Sequence, residues 1–295
     1  MNTAEQDGGT AGGPTVRRML LGAQLRRLRE AKGVSRVDAG WAIRGSDSKI
    51  SRIELGRVGF KERDIADLLT LYGVTDDDER EALLTLAQEA NKPGWWQPYG
   101  DLIPNWLQNY LDLEAAATVI RTYEVQYVPG LLQTEEYARA VILLGFGSAR
   151  GVEIDRRVGL RMARKQLLTR ADPPQLWAVM DEAVLRRPIG GTNVMRAQIE
   201  ALIEASSLPN VQLQVVPFRA GGHAAAGGAF SVLRFPDPDL PDVVYIEHLT
   251  GALYLDRRED VDRYAEAVGR LFIEAEPLTR TKEILRAAAR DIGNG

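Results

Sequence analysis

Residues 46–57 read SDSKISRIELGR, and they place several hydrogen-bonding side chains at the front of one short helix. Ser46 suits the N-cap, where a hydroxyl accepts a hydrogen bond from a free amide of the first turn. Ile50 and Ile53 are three apart, share a face and pack inward. Asp47, Ser48, Ser51 and Arg52 are left to the outer face and the front end. A helix fits the major groove of duplex DNA, and short polar or basic side chains at its front reach base edges there. Basic residues around such a helix neutralise phosphates and fix its register. Asp47 has two readings: an acceptor for a cytosine amino group, or a favourable charge at a helix start.

The flanking segments must position this helix. MLLGAQLRRLREAKG carries Leu21, Leu25 and Leu28 as one apolar stripe, and Gly33 suits the left-handed residue that ends a helix. Ser35 with Asp38 three residues on resembles a capping box. It opens a second helix, RVDAGWAI, in which Val37 and Trp41 are four apart and are expected to face inward. Gly45 is expected to relax the turn that follows, and Gly56 to close the third helix. Residues 61–72 predict a fourth helix with Ile65, Leu68, Leu69 and Tyr72 apolar, and DDDEREALLTLAQEA a fifth with an acidic first turn. A turn of three to four residues between the second and third of five short helices matches the helix-turn-helix plan.

Charge is distributed accordingly. The chain of 295 residues has a net charge of −4. Yet residues 17–63 hold 13 Lys/Arg against 5 Asp/Glu, and residues 64–94 hold 2 against 8. A basic block in an acidic chain is the electrostatic footprint of a nucleic-acid contact. The absence of cysteine excludes disulfides and thiolate chemistry and fits a reducing cytoplasm. Two histidines, His223 and His248, make poor material for a metal centre, and no metal or cofactor is expected. No apolar run is long enough to span a bilayer, and the N-terminus lacks the basic and apolar regions of a signal peptide.

The expected organisation is α+β. A disordered lead-in over 1–16 precedes an all-helical five-helix domain over 17–90. An ordered connector over 91–104 follows, in which Trp95, Trp96 and Tyr99 are expected to be covered. A mixed domain over 105–295 has an antiparallel sheet and flanking helices. Residues 105–119 and 152–170 read as helices, the second a long one carrying Arg156, Arg157, Arg161, Arg164, Lys165 and Arg170. That basic helix is either a solvated face or a surface for an acidic partner or extra DNA. Strand candidates are QLWAVM, VQLQVVPF, AFSVLRF, VVYIEH and ALYLD. The last four come as a run, so antiparallel pairing is expected among them. Helices near 259–275 and 277–291 close the chain.

Catalytic signals are weak, and no enzymatic activity is expected. GFGSARG has suggestive glycine spacing but lacks the strand-to-helix context of a dinucleotide site. No phosphate-loop lysine motif and no nucleophile elbow occurs. Asp181 with Glu182, and Glu247 with His248, are adjacent on strands and so point to opposite faces. RAGGHAAAGGAF, residues 219–230, has two readings. It is either a small-residue lid over a ligand, with Gly221, Gly222, His223, Gly227 and Gly228 as its candidate residues, or a solvent-exposed hairpin connection.

LRRLREAKGVSRVDAGWAI and SKISRIELGR resemble the phage-repressor-like helix-turn-helix regulators, the xenobiotic-response-element family. WQPYGDLIPNWLQNYLDLEAAATVIRTYEVQYVPGLLQTEEYARAV and DVVYIEHLTGALYLD resemble the second domain of an actinobacterial, antitoxin-like group of such regulators. The resemblance implies that Ser46, Asp47, Ser48, Lys49 and Arg52 read bases, and that Arg36, Arg57 and Lys61 touch phosphates. Ser51 and Arg44 complete the candidate set. Gly40 and Arg44 stand where such proteins often have alanine and glycine, so the turn is expected to differ slightly. Three functions follow: a dimeric regulator bound to double-stranded DNA at near-palindromic sites, an antitoxin-like holder of a small partner protein, or a switch driven by a small-molecule effector.

Overall fold

The computed structural model describes residues 13–146, 151–225, 227–238 and 240–292. The chain divides into two compact units, the first ending at Gln97 and the second beginning at Pro98. The expected connector, 91–104, spans that division. Its Trp95 is exposed and Trp96 only half-buried, so tryptophan burial is not what orders it.

Among the described residues the first unit has five α-helices: α1 (Pro14–Ala31), α2 (Arg36–Ala42), α3 (Asp47–Glu54), α4 (Glu62–Tyr72) and α5 (Asp77–Glu89). The helix α1 starts at Pro14, five residues before the MLLG segment expected to open it, because Pro14 sits in its first turn, where a missing N–H costs nothing. Residues 1–12 of the expected lead-in lie outside the described residues. Leu21, Leu25, Ile50, Ile53, Ile65, Leu68 and Leu69 form the centre of the core.

The second unit is built on one mixed six-stranded sheet in the order β3-β2-β1-β4-β5-β6. Its elements run α6 (Asn105–Ala116), β1 (Val119–Glu124), α7 (Glu135–Phe146), α8 (Gly151–Lys165), β2 (Gln175–Asp181), α9 (Glu182–Arg186) and α10 (Thr192–Ala205). They continue with β3 (Val211–Val216), β4 (Phe230–Arg234), β5 (Val243–His248), β6 (Gly251–Leu255), α11 (Arg258–Glu274) and α12 (Leu278–Ile292). Strands β1, β2 and β3 are parallel, joined by helical crossovers. Only β1, β4, β5 and β6 pair antiparallel.

This corrects the expected antiparallel run in one place. VQLQVVPF forms β3, which pairs parallel to β2 at the far edge, because a helix (α10) separates the two and parallel strands need such a crossover. Residues 219–230 therefore do not close a hairpin. They carry the chain from β3 past β2 and β1 to β4. On one sheet face Tyr123, Val179, Val216, Phe230, Val232 and Val244 share a core with Val261, Val268 and Leu271 of α11.

Two further expectations shift. The helix over 105–119 stops at Ala116, and Val119 already begins β1. Asp181 and Glu182 do not share a strand: Asp181 ends β2 and its carboxylate caps α9, accepting from the Ala183 amide at 2.7 Å.

The basic helix is partly a solvated face, with Val158 and Leu160 buried beneath it and Arg170 exposed, but its cations have partners within the unit. Arg164 donates twice to the buried Glu114, at 2.8 and 2.9 Å. Arg156 binds Asp101, and Arg157 binds Glu153 and the Leu102 carbonyl. Arg161 donates to Gln133, and Lys165 and Arg170 donate to backbone carbonyls. Most of these groups hold α8 to its own unit, but Arg161 meets only the neutral Gln133 amide and pairs with no carboxylate among the described residues.

Candidate nucleic-acid interface

The geometry of α3 is set by local chemistry at both ends. The Ser46 hydroxyl accepts from the Lys49 amide at 3.2 Å, the expected N-cap. Ile50 and Ile53 are buried and Arg52 is exposed, as their spacing requires. At the far end Glu54 is buried and held by Arg29 of α1, Nε to Oε1 at 2.5 Å and Nη2 to Oε2 at 3.1 Å. Arg29 also donates to the Val34 carbonyl at 3.0 Å, and the paired carboxylate raises its pKa. A Cβ on Gly22 would lie 2.6 Å from the Ile53 and Glu54 carbonyl oxygens, so α1 and α3 meet closer than any larger residue permits.

The turn before α3 departs from expectation. Arg44, not Gly45, is the left-handed residue, with φ of 53°. The Arg44 amide bonds the Trp41 carbonyl and the Gly45 amide bonds the Gly40 carbonyl, closing α2. Gly40 packs against this turn: a Cβ there would stand 2.9 Å from the Ser46 carbonyl carbon. Small residues therefore make the inner face of α2, with Ala39 and Gly40 buried, and Ile43 is buried just beyond its end. Val37 and Trp41, expected inward, are 53% and 79% exposed. Ser35 caps α2 as expected, with the Asp38 amide donating to it at 3.1 Å.

Among the candidate residues, Ser46, Asp47, Ser48 and Arg52 are all exposed at the front and outer face of α3. The Ser48 hydroxyl donates to Asp47 at 3.4 Å, and Arg52 donates to the Ser48 carbonyl at 3.4 Å. Lys49 stands apart from them, because its ammonium is bound by Asp64 of α4 at 2.6 Å. Ser51 and Arg36 line a polar depression of about 350 Å³ together with Arg26, Arg29, Glu30 and Leu55. Arg44, Arg57 and Lys61 are exposed around α3. Sequence reasoning missed the Arg29–Glu54 and Lys49–Asp64 pairs, whose partners lie 25 and 15 positions apart.

The loop candidates are placed differently. His223 is half-buried and its Nε2 is 2.9 Å from the Tyr123 hydroxyl at the end of β1. Gly221 and Gly228 take left-handed conformations, and Ala225 is buried, so the segment is anchored on the sheet. Ala226 and residues 147–150 of GFGSARG lie outside the described residues. Among the described residues no group of three or more acidic, His or Cys side chains could hold a metal, and no helix is long and apolar enough to cross a membrane.

A capped, rigidly held third helix with an exposed polar front, entered by a short turn from the second, defines a helix-turn-helix DNA-binding regulator. Residues 20–83 match the family model of a helix-turn-helix domain. Residues 107–287 match the model described as a domain of unknown function, DUF5753, and the chain belongs to that family. No curated protein and no solved structure matches the chain.

Proposed function

We propose that this chain is a sequence-specific transcriptional regulator of the phage-repressor-like type, without catalytic activity, working in the cytoplasm as a dimer on near-palindromic sites. The observation that supports it best is the exposed front of α3, where Ser46, Asp47, Ser48 and Arg52 converge on a helix fixed at both ends. Two such helices presented about 34 Å apart match successive major grooves. Arg36, Arg44, Arg57 and Lys61 are the phosphate contacts in this reading. The resemblance to the actinobacterial antitoxin-like group supports autoregulation, so the DNA upstream of the chain's own gene is the first operator to try.

The test is fluorescence anisotropy of the full chain on that duplex and on a scrambled one, at two salt concentrations. The expected result is tighter binding to the native duplex, weakening as salt rises. Equal, salt-dependent binding to both duplexes contradicts sequence-specific reading of that site. A second reading, a response to a small molecule through residues 219–230, is favoured by the contact of His223 with Tyr123 at the end of β1. In open sheets, ligands gather at the carboxyl ends of parallel strands.

A further inference from the structure

The end of the sheet holds charged groups that the DNA-binding reading does not use. Glu124 is the last residue of β1 and Glu247 lies near the end of β5. The register places Thr122, Ser231 and Tyr245 in one row across β1, β4 and β5. Glu124 and Glu247 lie two residues further on and so share their face. Strand β4 begins only at Phe230, opposite Tyr123, so nothing on it pairs beside Glu124. The two carboxylates thus flank a notch roughly 9–10 Å wide, two strand spacings.

The walls of the notch are polar and well fixed. Tyr245 donates to Glu247 at 2.8 Å and stacks on Tyr110 of α6, with ring centroids 4.1 Å apart. Arg164 lies over Tyr110 and is occupied by Glu114. Arg161 of α8 is different. Of its five N–H groups, among the described residues Nη1 has a partner, Gln133 at 2.8 Å, and the others have none. The Glu124 carboxylate accepts no hydrogen bond among the described residues, although the residue is half-buried. Glu124 and Arg161 both keep part of their surface in solvent, so the notch is open. A half-buried carboxylate that accepts no hydrogen bond among the described residues, near a guanidinium with N–H groups to spare, is complementary to a zwitterion.

We propose that the notch between Glu124 and Glu247 binds a small amino-acid-like molecule, its ammonium or guanidinium group between the two carboxylates and its carboxylate on Arg161. Charge-assisted hydrogen bonds at both ends give the site its selectivity. Burial and the neighbouring Glu247 push the Glu124 carboxyl up to about 8, against the opposing pull of Arg161 and Arg164. Tyr137 of α7 is near enough to feel the Glu124 charge. Glu124 is therefore protonated at pH 7 in the empty site, and a cation seated beside it expels that proton.

The experiment is isothermal titration of the full chain at pH 7 with L-lysine, L-ornithine and L-arginine, and with their decarboxylated counterparts cadaverine, putrescine and agmatine, up to 10 mM. Each titration is run in phosphate and in Tris, which differ in ionisation heat. At least one amino acid is expected to bind, at least tenfold more tightly than its decarboxylated counterpart. Proton release is expected to show as a buffer-dependent heat. The Glu247→Gln change, at an exposed position, should weaken binding at least tenfold, and Glu124→Gln should abolish the proton release. No binding by any of the six, or binding unchanged in Glu247→Gln, overturns the proposal. Equal binding of an amino acid and its decarboxylated counterpart overturns the role of Arg161. DNA binding is not required for any of these readouts, so the regulator reading stands or falls separately.

Discussion

Arg29 on α1 grips Glu54 at the end of α3 through two hydrogen bonds, with both side chains at least 90% buried. A guanidinium meeting a carboxylate with two parallel bonds fixes orientation as well as distance. This pair therefore sets the angle at which α3 leaves the body of its unit. It is also vulnerable: Arg29 keeps the more exposed Glu30 at 3.3 Å if Glu54 is lost, but Glu54 without Arg29 is a buried charge without its counterpart.

Arg29→Met should accordingly destabilise the first unit by about 3–5 kcal/mol, the usual cost of orphaning one member of a buried pair, here Glu54. Replacing both residues by Met should cost much less, since no charge is then stranded. Urea denaturation of the single and double variants measures this. Equal losses in both would show that shape, not charge pairing, is what the site supplies.

Base reading and phosphate binding separate experimentally. Arg52 stands on the exposed face of α3, and Arg57 lies just beyond its end. Arg52→Ala should cost about 1–3 kcal/mol of discrimination at one base position. Arg57→Ala should weaken binding on every sequence and reduce the salt slope by about one. Exchanged outcomes, a uniform loss for Arg52 and a sequence-selective loss for Arg57, would reverse the two assignments.

The turn between α2 and α3 predicts opposite signs for two neighbouring substitutions. Arg44 holds a left-handed conformation that costs a non-glycine residue about 1–2 kcal/mol. Arg44→Gly should recover roughly 1 kcal/mol of stability while weakening DNA binding through the lost charge. Gly40→Ala should destabilise by about 1–3 kcal/mol, because the new methyl meets backbone of the turn at 2.9 Å. Thermal melts that moved the same way for both would refute this account of the turn.

The sequence revealed what is local. Ser46 and Ser35 cap their helices through amides three residues on, and Ile50 and Ile53 are buried by the period of a single helix. It misled where a neighbour decides. Val37 and Trp41 make a regular apolar pair, but α2 approaches its turn so closely that only Ala39 and Gly40 fit inside, and the tryptophan is left in solvent. The arginines of α8 read as a surface stripe, because Glu114 and Gln133, which bind Arg164 and Arg161, lie 50 and 28 positions away. The parallel placement of β3 was hidden for the same reason: strand order is settled by the crossover, not by adjacency in the chain.

Glu124 gives a pH dependence with a defined sign. Its carboxyl is pushed up to about 8 by burial and by Glu247, while an unfolded glutamate titrates near 4.3. Between those values the folded chain holds a proton that the unfolded chain has released. Stability from this group is thus fully present below the unfolded pKa and is lost as pH rises toward and through about 8. Glu124→Gln removes the burden of ionising in an enclosed site. It should leave stability nearly unchanged near pH 4 and raise it at pH 9 by on the order of a few kcal/mol, since each pKa unit is worth about 1.4 kcal/mol. Denaturant midpoints of both proteins from pH 4 to 9 test this. Curves that remain parallel over the whole range would mean that Glu124 ionises normally in the fold, and that the notch is better solvated than its enclosure implies.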